Sequence, residues 1–486
     1  NRNPGTRPAR TPHVHLRGGT KDARGMLRRL ERRTRPVDAE TREALGRRWR
    51  DLPGHVRTSS QLLGRHALGC EGTHGVFPRC NLSCTPCYHS RDANRVATVG
   101  SHTVREVAAQ FRMLREKRGP RAHAQLIGGE VSLLDPDDHA AALLAMRGYG
   151  REPMSMSHGD FDYDYLRRLV LDHDGSPRLR RVSFAGHFDM LMSGRRGLER
   201  PADEVALDPA RARFTAMFER LRREEDVRSF LAHTMTVTPR NLDQIADVIA
   251  RNAHLGFGMF SFQPAAFVGD DHRWHESFRE VTGDAVWTQI EKGAGTRLPF
   301  RALQTGDERC NRTTHGFFIG PDYFPILDDL DPADLRVRDA FLAHLGGMQF
   351  AGAPPGVLVL RLARVLARHP GLITTFGGWT LRMVRRVGLR RVTRHPRIRP
   401  VTFVMHSFMD ADVVAPAWAA MQRNETSSDE RVAAAQERLR ACSYTMAHPE
   451  TGALVPACAQ HCVLDPAENA ALRQLLPLPT RRPDRA

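Results

Sequence analysis

Six short apolar runs alternate with helix-like stretches between Gly72 and Phe267, and this alternation constrains the fold more than any other feature of the sequence. Repeated strand–helix units predict an α/β protein with a parallel sheet, here a partial (β/α)6 barrel that is open on one side. Functional groups gather at the carboxyl ends of such strands. The predicted strands are Gly75–Phe77, Ala124–Ile127, Ser155–Ser157, Arg181–Phe184, Ala232–Val237 and Gly258–Gln263. The predicted helices are Val104–Lys117, Asp137–Met146, Asp162–Val170, Pro209–Arg223 and Asn241–Asn252.

The pattern divides the chain into five segments. Residues 1–68 form an arginine-rich N-terminal helical arm, with helices predicted over Asp22–Arg33 and Asp38–Arg50 and with Asp38 as an N-cap. Residues 69–270 form the barrel, and residues 271–339 connect it to an auxiliary region and begin that region. Residues 340–409 carry basic amphipathic helices. Residues 410–486 form an α+β extension that contains cysteines and ends in a polar tail.

Charge and composition indicate the kind of partner and argue against a secreted or membrane-spanning protein. The chain has 72 Lys and Arg against 55 Asp and Glu, and its net charge of +17 favours anionic partners such as lipid headgroups, phosphates or an acidic substrate. It contains no secretory apolar segment and no run of about 18 apolar residues, so we expect a cytoplasmic protein that does not span a membrane. Because the first residue is Asn1, we expect the natural start to lie upstream.

Three cysteines follow the first predicted strand in the spacing CxxxCxxC, at Cys80, Cys84 and Cys87. Eight cysteines in a chain of this length are too few for a disulfide scaffold, so this cluster predicts metal ligation in a reducing compartment. Three thiolates in one loop can hold three corners of a [4Fe–4S] cube and leave the fourth iron without a protein ligand. The alternative is a zinc site that His89 completes.

Together with Gly128-Gly129-Glu130 after the second predicted strand, this motif resembles that of the radical S-adenosylmethionine (SAM) superfamily. The resemblance implies an enzyme in which the cluster binds SAM and cleaves it to a 5′-deoxyadenosyl radical. It also implies that the two glycines let the backbone approach SAM, and that Glu130 accepts from its ammonium group. The other SAM contacts that it implies are Tyr88, Ser183, His187 and Gln263, with Asp189 close by. A small electron donor of the ferredoxin or flavodoxin type is the expected partner, and the oligomeric state stays open.

A second group of cysteines comprises Cys310, Cys442, Cys458 and Cys462, the number that a further [4Fe–4S] cluster requires. The stretch from Cys442 to Cys462 predicts a strand, a turn and a strand, which resembles the auxiliary-cluster region of SPASM and twitch radical SAM proteins. The alternatives are a zinc site that uses His461 and plain buried thiols. We interpret Cys70 as an incidental buried thiol.

The stretch from Ala340 to Met409 contains no Asp or Glu, yet it carries eleven arginines from Arg361 to Arg399. Helices predicted over Val357–Ala367 and Trp379–Arg391 each place apolar residues beside arginines, a pattern that suits a membrane surface. The sequence therefore favours a peripheral position on the inner face of the membrane. An ordinary packed face with a solvated basic edge is the alternative.

The C-terminal region also resembles that of archaeal tetraether lipid synthases, in Phe408-Met409-Asp410, Arg440-Ala441-Cys442 and Pro449-x-x-Gly452-x-x-Val455-Pro456-x-Cys458. This resemblance implies hydrogen abstraction from a lipid chain, followed by C–C bond formation or another modification at an unactivated carbon. One alternative is a SPASM or twitch maturase of a peptide or natural product. Another is a zinc-stabilised nucleic-acid-binding protein without catalysis. We expect no nucleic acid as a partner, because the chain lacks interleaved aromatic and basic residues.

Overall fold

The computed structural model describes residues 25, 26, 28, 30, 31, 34–88, 91–350 and 353–478. Most of the helix predicted over Asp22–Arg33 lies outside the described residues, and so does His89. The helices are α1 (Ala39–Asp51), α2 (Gly100–Arg118), α3 (Pro136–Gly148), α4 (Tyr163–Val170), α5 (Asp208–Glu225), α6 (Ile245–Asn252), α7 (Gly283–Ala294), α8 (Pro332–His344), α9 (Pro355–Arg368), α10 (Gly371–Val387), α11 (Leu389–Arg394), α12 (Ala411–Gln422), α13 (Glu430–Arg440), α14 (Ala457–Ala459) and α15 (Asp465–Leu475).

Eleven strands form one sheet in the order β10-β9-β11-β8-β7-β5-β4-β3-β1-β12-β13, and β2 pairs separately with β6. The strands are β1 (Cys70–Gly72), β2 (Ser83–Cys84), β3 (Ala122–Leu126), β4 (Arg151–Ser157), β5 (Arg181–His187), β6 (Met192–Ser193), β7 (Arg228–Val237), β8 (Met259–Pro264), β9 (Asn311–Ile319), β10 (Asp322–Pro325), β11 (Ile398–His406), β12 (Tyr444–His448) and β13 (Ala453–Pro456). From β11 to β12 all neighbours are parallel, whereas β9, β10 and β13 are antiparallel to theirs. The prediction of an α/β fold built on a parallel half-barrel is therefore confirmed.

The sheet curls until its two sides meet. Asn311 begins β9 on one side, and its Nδ2 donates to the Ser443 Oγ at 3.0 Å, immediately before β12 on the other side. Strand β11 extends the predicted barrel beyond β8, and β12 extends it beyond β1. Residues from the C-terminal half of the chain therefore close much of the opening that a six-stranded half-barrel leaves.

The first predicted strand, Gly75–Phe77, is wrong. The first strand is β1 at Cys70–Gly72, and Gly75 has a φ of 64°, which turns the chain out of the sheet. The sequence hides β1 because its central residue is Glu71, a charged side chain that is fully buried. Arg151 makes this burial possible, since its Nε and Nη2 donate to the two Glu71 carboxylate oxygens at 2.8 and 3.0 Å.

Most predicted helices are confirmed, with small shifts at their ends. Asp38 caps α1, because its carboxylate accepts from the Thr41 N–H at 2.8 Å. The helix predicted over Asn241–Asn252 begins as a 3-10 turn, Leu242–Gln244, before α6. Gly388, at a φ of 78°, divides the helix predicted over Trp379–Arg391 into α10 and α11. Within the described ranges, no helix has both the length and the apolar character needed to cross a bilayer.

Candidate active site

The interior of the curled sheet holds a cavity of about 270 Å³. Alternate residues of the parallel strands line it, such as Met154 and Met156 of β4, Thr234 and Thr236 of β7, and Ser261 and Gln263 of β8. This period of two is what places one face of each strand inside a barrel. Seven of the eight cysteines also line the cavity: Cys70, Cys80, Cys84, Cys87, Cys310, Cys442 and Cys458.

A short antiparallel ladder fixes the loop of the CxxxCxxC motif. In this ladder, Ser83 and Cys84 of β2 pair with Ser193 and Met192 of β6. The Cys80 N–H donates to the Asn94 Oδ1 at 2.9 Å, and its Sγ accepts from the Leu82 N–H at 3.4 Å. Burial raises the pKa of the Cys80 thiol to about 12, and burial also raises the pKa of Cys84 well above its ordinary value. Without a cation, therefore, these two thiols stay protonated.

Gly128 and Gly129 serve the fold at this loop. The Gly129 N–H donates to the Phe77 carbonyl at 2.7 Å, and the Glu130 N–H donates to the Arg79 carbonyl at 2.8 Å. A Cβ atom on Gly129 would overlap the Arg79 carbonyl, and one on Gly128 would meet the Phe77 carbonyl at 2.8 Å. The two glycines are thus required by the close approach of the segment that enters Cys80, in addition to the approach to SAM that the motif implies.

Glu130 is buried and joins three parts of the site. Its Oε1 accepts from the Ser132 N–H at 3.0 Å and from the Ser157 Oγ at 2.7 Å, while its Oε2 accepts from the His158 N–H at 2.8 Å. His158 continues this network to the cysteine loop, because its Nε2 donates to the Asn81 Oδ1 at 2.8 Å. Sequence reasoning missed His158. Its only signal was its position directly after a predicted strand.

Three further predicted residues come from the strands on the other side of the cavity. His187 lines it, with its Nε2 at 2.6 Å from the Asp189 Oδ2. Buried Asp189 also accepts from the Leu191 and Thr236 N–H groups at 3.0 and 3.1 Å. Gln263 lines the cavity too, and its amide forms no hydrogen bond within the described chain. Ser183 lies on the same face of β5 as His187 but is not among the residues of the cavity wall.

Tyr88 lies between the two groups of cysteines. Its ring packs against Phe408 and His461, with centroid distances of 4.9 and 5.6 Å. Burial raises the pKa of its hydroxyl, and the charges of Cys458 and Cys462 raise it further. Its Oη is buried without a hydrogen-bond partner among the described residues, and so are the Ser261 Oγ and Tyr444 Oη. Because buried polar atoms are normally paired, these three atoms of the cavity wall are available to hydrogen-bond with water or with a polar ligand.

The second group of cysteines gathers near the start of β12. Cys442 stands two residues before Tyr444, and Cys458 follows Pro456, which pairs with Thr445. Cys310 precedes Asn311, whose side chain binds Ser443, and its Sγ accepts from the Arg438 Nε at 3.1 Å. The predicted hairpin, β12 and β13, is confirmed. Burial raises the pKa of the Cys310 thiol, and the Arg438 guanidinium opposes part of this shift.

Cys70 lies beside this second group at the cavity wall, whereas Cys462 is close to Cys458 but does not line the cavity. Cys70 is level with Tyr444 in the β1–β12 pair, and its N–H donates to the Ser443 carbonyl at 2.7 Å. The Cys462 Sγ instead faces the Met409 carbonyl at 3.7 Å, and Cys462 is not part of the cavity wall. The pairing of β1 with β12, across more than 370 residues of sequence, brings Cys70 to the cavity wall, a position that the sequence did not indicate.

The spacing of the thiols bears on which metal they could hold. Among the described residues, one group of three ligand atoms lies within 4.8 Å of one another, and it contains no cysteine. Sulfur atoms around a single zinc ion lie about 3.8 Å apart, because each is about 2.3 Å from the metal in a tetrahedron. A cluster of several irons spreads its thiolates more widely. In the described part of the chain, no three thiols lie as close together as the ligands of one zinc ion would.

The fold is that of a partial parallel α/β barrel, and a comparison with solved structures finds partial matches of low identity. One is anSMEcpe with bound AdoMet and a Cp18Cys peptide, at 12% identity and a TM-score of 0.30, with 46% of this chain and 57% of that chain covered. Another is SuiB of Streptococcus suis bound to the precursor peptide SuiA, at 11% identity and a TM-score of 0.27, with 53% and 47% covered. The chain thus spans about half the length of these proteins. No protein-family model and no curated protein matches the sequence.

Proposed function

We propose that this protein is a radical SAM enzyme. Cys80, Cys84 and Cys87 would hold a [4Fe–4S] cluster with one open iron, and when bound with SAM this cluster supplies the electron that generates a 5′-deoxyadenosyl radical. The observation that carries the proposal is the juxtaposition of this triad with the unpaired polar atoms of one cavity wall. Gly128, Gly129, Glu130, His187 and Gln263 would bind and orient SAM.

The chain's own residues prepare the cavity for radical chemistry. The curled sheet encloses it, and its methionines and alanines offer few hydrogen bonds to water. Exclusion of water protects a reactive intermediate from side reactions. The Tyr88 hydroxyl can form a hydrogen bond that the described chain does not use itself, and the Gln263 amide also borders the cavity. A small ferredoxin- or flavodoxin-type protein would deliver the electron.

Anaerobic reconstitution with iron, sulfide, SAM and dithionite tests the proposal. We expect 5′-deoxyadenosine from the wild-type protein and from Ser83→Ala, an exposed change in the same loop. Cys84→Ala should abolish the product and remove about four irons per chain. The proposal is wrong if the protein takes up no cluster, or if Cys84→Ala turns over at the wild-type rate.

We further propose a second cluster held by Cys310, Cys442, Cys458 and Cys70. The pairing of β1 with β12 and of β12 with β13 supports this set, because it brings Cys70, Cys442 and Cys458 to one end of three adjacent strands. Cys462, the fourth ligand that the sequence suggested, is the alternative. Cys70→Ala should lower the iron content from about eight to about four per chain, whereas Cys462→Ala should leave it unchanged. The opposite result would restore Cys462 to the set.

The substrate that we propose is a lipid chain, which the enzyme would reach at an anionic membrane surface. Of the fifteen large apolar side chains that are exposed in the described part of the chain, eight lie between Phe350 and Ile398. They share this segment with five arginines for which the described residues supply no ion-pair partner: Arg368, Arg385, Arg390, Arg394 and Arg397. Exposed apolar residues beside unpaired cations suit a lipid surface with anionic headgroups.

Two arginines of this segment have another role. Arg382 and Arg386 both donate to buried Asp334, at 2.8 and 2.7 Å, and so fasten α10 to α8. The vesicle experiment must therefore leave them in place. Arg385, Arg390 and Arg394 changed to Ser should lose binding to vesicles of phosphatidylglycerol. A matched control changes three exposed arginines elsewhere, Arg223, Arg240 and Arg431, to Ser and should keep it.

The main rival is a maturase of a peptide or natural product, the kind of substrate in the two peptide-bound solved structures. If the wild-type protein fails to bind anionic vesicles, the lipid proposal is wrong. Production of 5′-deoxyadenosine should then rise on addition of a peptide extract and not of a lipid extract. Stimulation by lipid alone would instead support C–C bond formation or another modification of a lipid chain.

A further inference from the structure

Two histidines and a glutamate converge outside the cavity. His74 follows β1 and His448 ends β12, at the same level in the paired strands, and Glu468 comes from α15. One ligand atom from each lies within 4.8 Å of the other two. The His74 Nδ1 is 2.9 Å from the Glu468 Oε2, and the His448 Nδ1 is 3.5 Å from the Glu468 Oε1. The two imidazole rings are stacked, with centroids 3.9 Å apart.

The neighbours of the two rings define which nitrogen carries hydrogen. The His74 Nε2 lies 2.8 Å from the Ala447 carbonyl, which can only accept, so this nitrogen is an N–H. The His448 Nε2 lies 2.5 Å from the Gln460 Oε1. The Gln460 amide cannot be reversed without loss, because its Nε2 donates to Asp465 and Glu468 at 2.8 and 3.0 Å. The His448 Nε2 is therefore an N–H as well.

The Nδ1 atoms of both rings therefore face the Glu468 carboxylate, each with either a hydrogen or a lone pair. In a neutral ring Nδ1 carries a lone pair, because the hydrogen is on Nε2. A lone pair that faces a carboxylate is repelled unless a cation lies between them. Two stacked imidazolium rings would also repel each other. The two rings are stacked and both Nδ1 atoms face the Glu468 carboxylate, so one cation at this point would interact with all three groups.

We propose that His74, His448 and Glu468 bind a divalent transition-metal ion of the zinc class through the two Nδ1 atoms and the carboxylate. Two nitrogens and one oxygen, with a water as fourth ligand, form a common zinc set. The far N–H of each ring is held by an acceptor, as it is around metal-bound histidines. A void of about 10 Å³ borders His74, and it has room for about one water molecule.

Such an ion would fasten the C-terminal helix to the sheet. Glu468 lies one turn into α15, and α15 follows directly on the segment that carries Cys458 and His461. His461 lines the cavity and contacts the Asp465 Oδ2 through its Nδ1 at 2.7 Å. The ion would therefore hold one wall of the cavity in place from outside, independently of any cluster within it.

The experiment measures zinc in the full-length protein after anaerobic reconstitution with iron and sulfide. We expect about one zinc per chain, with nitrogen and oxygen neighbours only in its X-ray absorption spectrum. Zinc bound to the cysteines would show sulfur neighbours instead, so a failure of the proposed iron–sulfur clusters is distinguishable from a failure of this site. Removal of the ion by a chelator should lower the melting temperature of the wild-type protein.

Variants separate the metal site from a plain hydrogen-bonded cluster. His448→Gln and Glu468→Gln should weaken zinc binding at least about 100-fold and should show no shift of melting temperature with chelator. The controls His173→Gln and Glu450→Gln change exposed residues and should behave as the wild type does. If the variants fail to fold, the wild-type spectrum and chelator response decide. The proposal is overturned if the wild-type protein holds no zinc with nitrogen and oxygen ligands, or if the folded variants bind it equally.

Discussion

Glu130→Gln replaces one carboxylate oxygen at the centre of the site by an amide NH2 group and keeps the shape of the side chain. The carboxylate accepts three hydrogen bonds, and two of the donors are backbone N–H groups, of Ser132 and His158, which cannot rotate. They approach different oxygens. Whichever way the amide turns, its NH2 group therefore faces one backbone N–H, and one buried donor is left without an acceptor.

The cost follows from these contacts. A hydrogen bond to a charged group contributes about 1.5–3 kcal/mol, and one between neutral groups contributes about 1 kcal/mol. The substitution removes one of the three bonds and converts the other two to neutral ones. We therefore expect a loss of about 3 kcal/mol in the free energy of unfolding, about a hundredfold in the equilibrium constant.

Urea-induced unfolding and amide hydrogen exchange measure this effect. If the loss of stability is local, amide exchange at Leu82, Ser132 and His158 should be about a hundredfold faster. Leu82 is included because His158 links Glu130 to Asn81 in the cysteine loop. Glu425→Gln is the matched control, since Glu425 is exposed and pairs only with exposed Arg423 in the described chain. An unfolding midpoint and exchange rates equal to those of the wild type would refute the central role of Glu130.

Three further predictions concern stability around the site. Gly129→Ala should displace the Arg79 carbonyl and lower the iron content of the reconstituted protein, measured by colorimetric assay, whereas Gly148→Ala, where a Cβ meets nothing, should not. Glu204→Gln should cost about 1.5–3 kcal/mol in urea unfolding, because it removes one of the two carboxylates that pair with the fully buried Arg211 and leaves Asp208 as the other. Burial raises the pKa of Asp307, but hydrogen bonds from Arg309 outweigh it and hold the pKa at about 2. The stability from this carboxylate, about 1–2 kcal/mol after screening, is present above about pH 4 and lost as the pH falls toward 2, so Asp307→Asn should flatten the acid limb of a thermal-shift profile.

Strands and motifs whose signal lies in neighbouring residues of the sequence were predicted correctly. The central strands β5, β7 and β8 were found because apolar residues mark them, and the cysteine triad was found because its three thiols are adjacent in sequence. The prediction failed where the role of a residue depends on a contact with a residue that is distant in the sequence. Strand β1 carries Glu71, whose burial depends on Arg151 eighty residues later, and Cys70 meets Cys442 only through the pairing of β1 with β12. His158 was missed because its role depends on Glu130 and Asn81, which approach it from two other loops.

The closure of the sheet explains why both groups of cysteines border one cavity. Strands β11 and β12 lie on its two sides, and Asn311 and Ser443 join the segments beside them. Tyr88 lies between the groups, and its high pKa keeps its hydroxyl protonated as a donor that has no acceptor in the described chain. Whatever fills the cavity must therefore offer an acceptor at that point. A bound nucleoside can do so, whereas an acyl chain alone cannot, which supports the proposal that Tyr88 contacts SAM and not a lipid substrate.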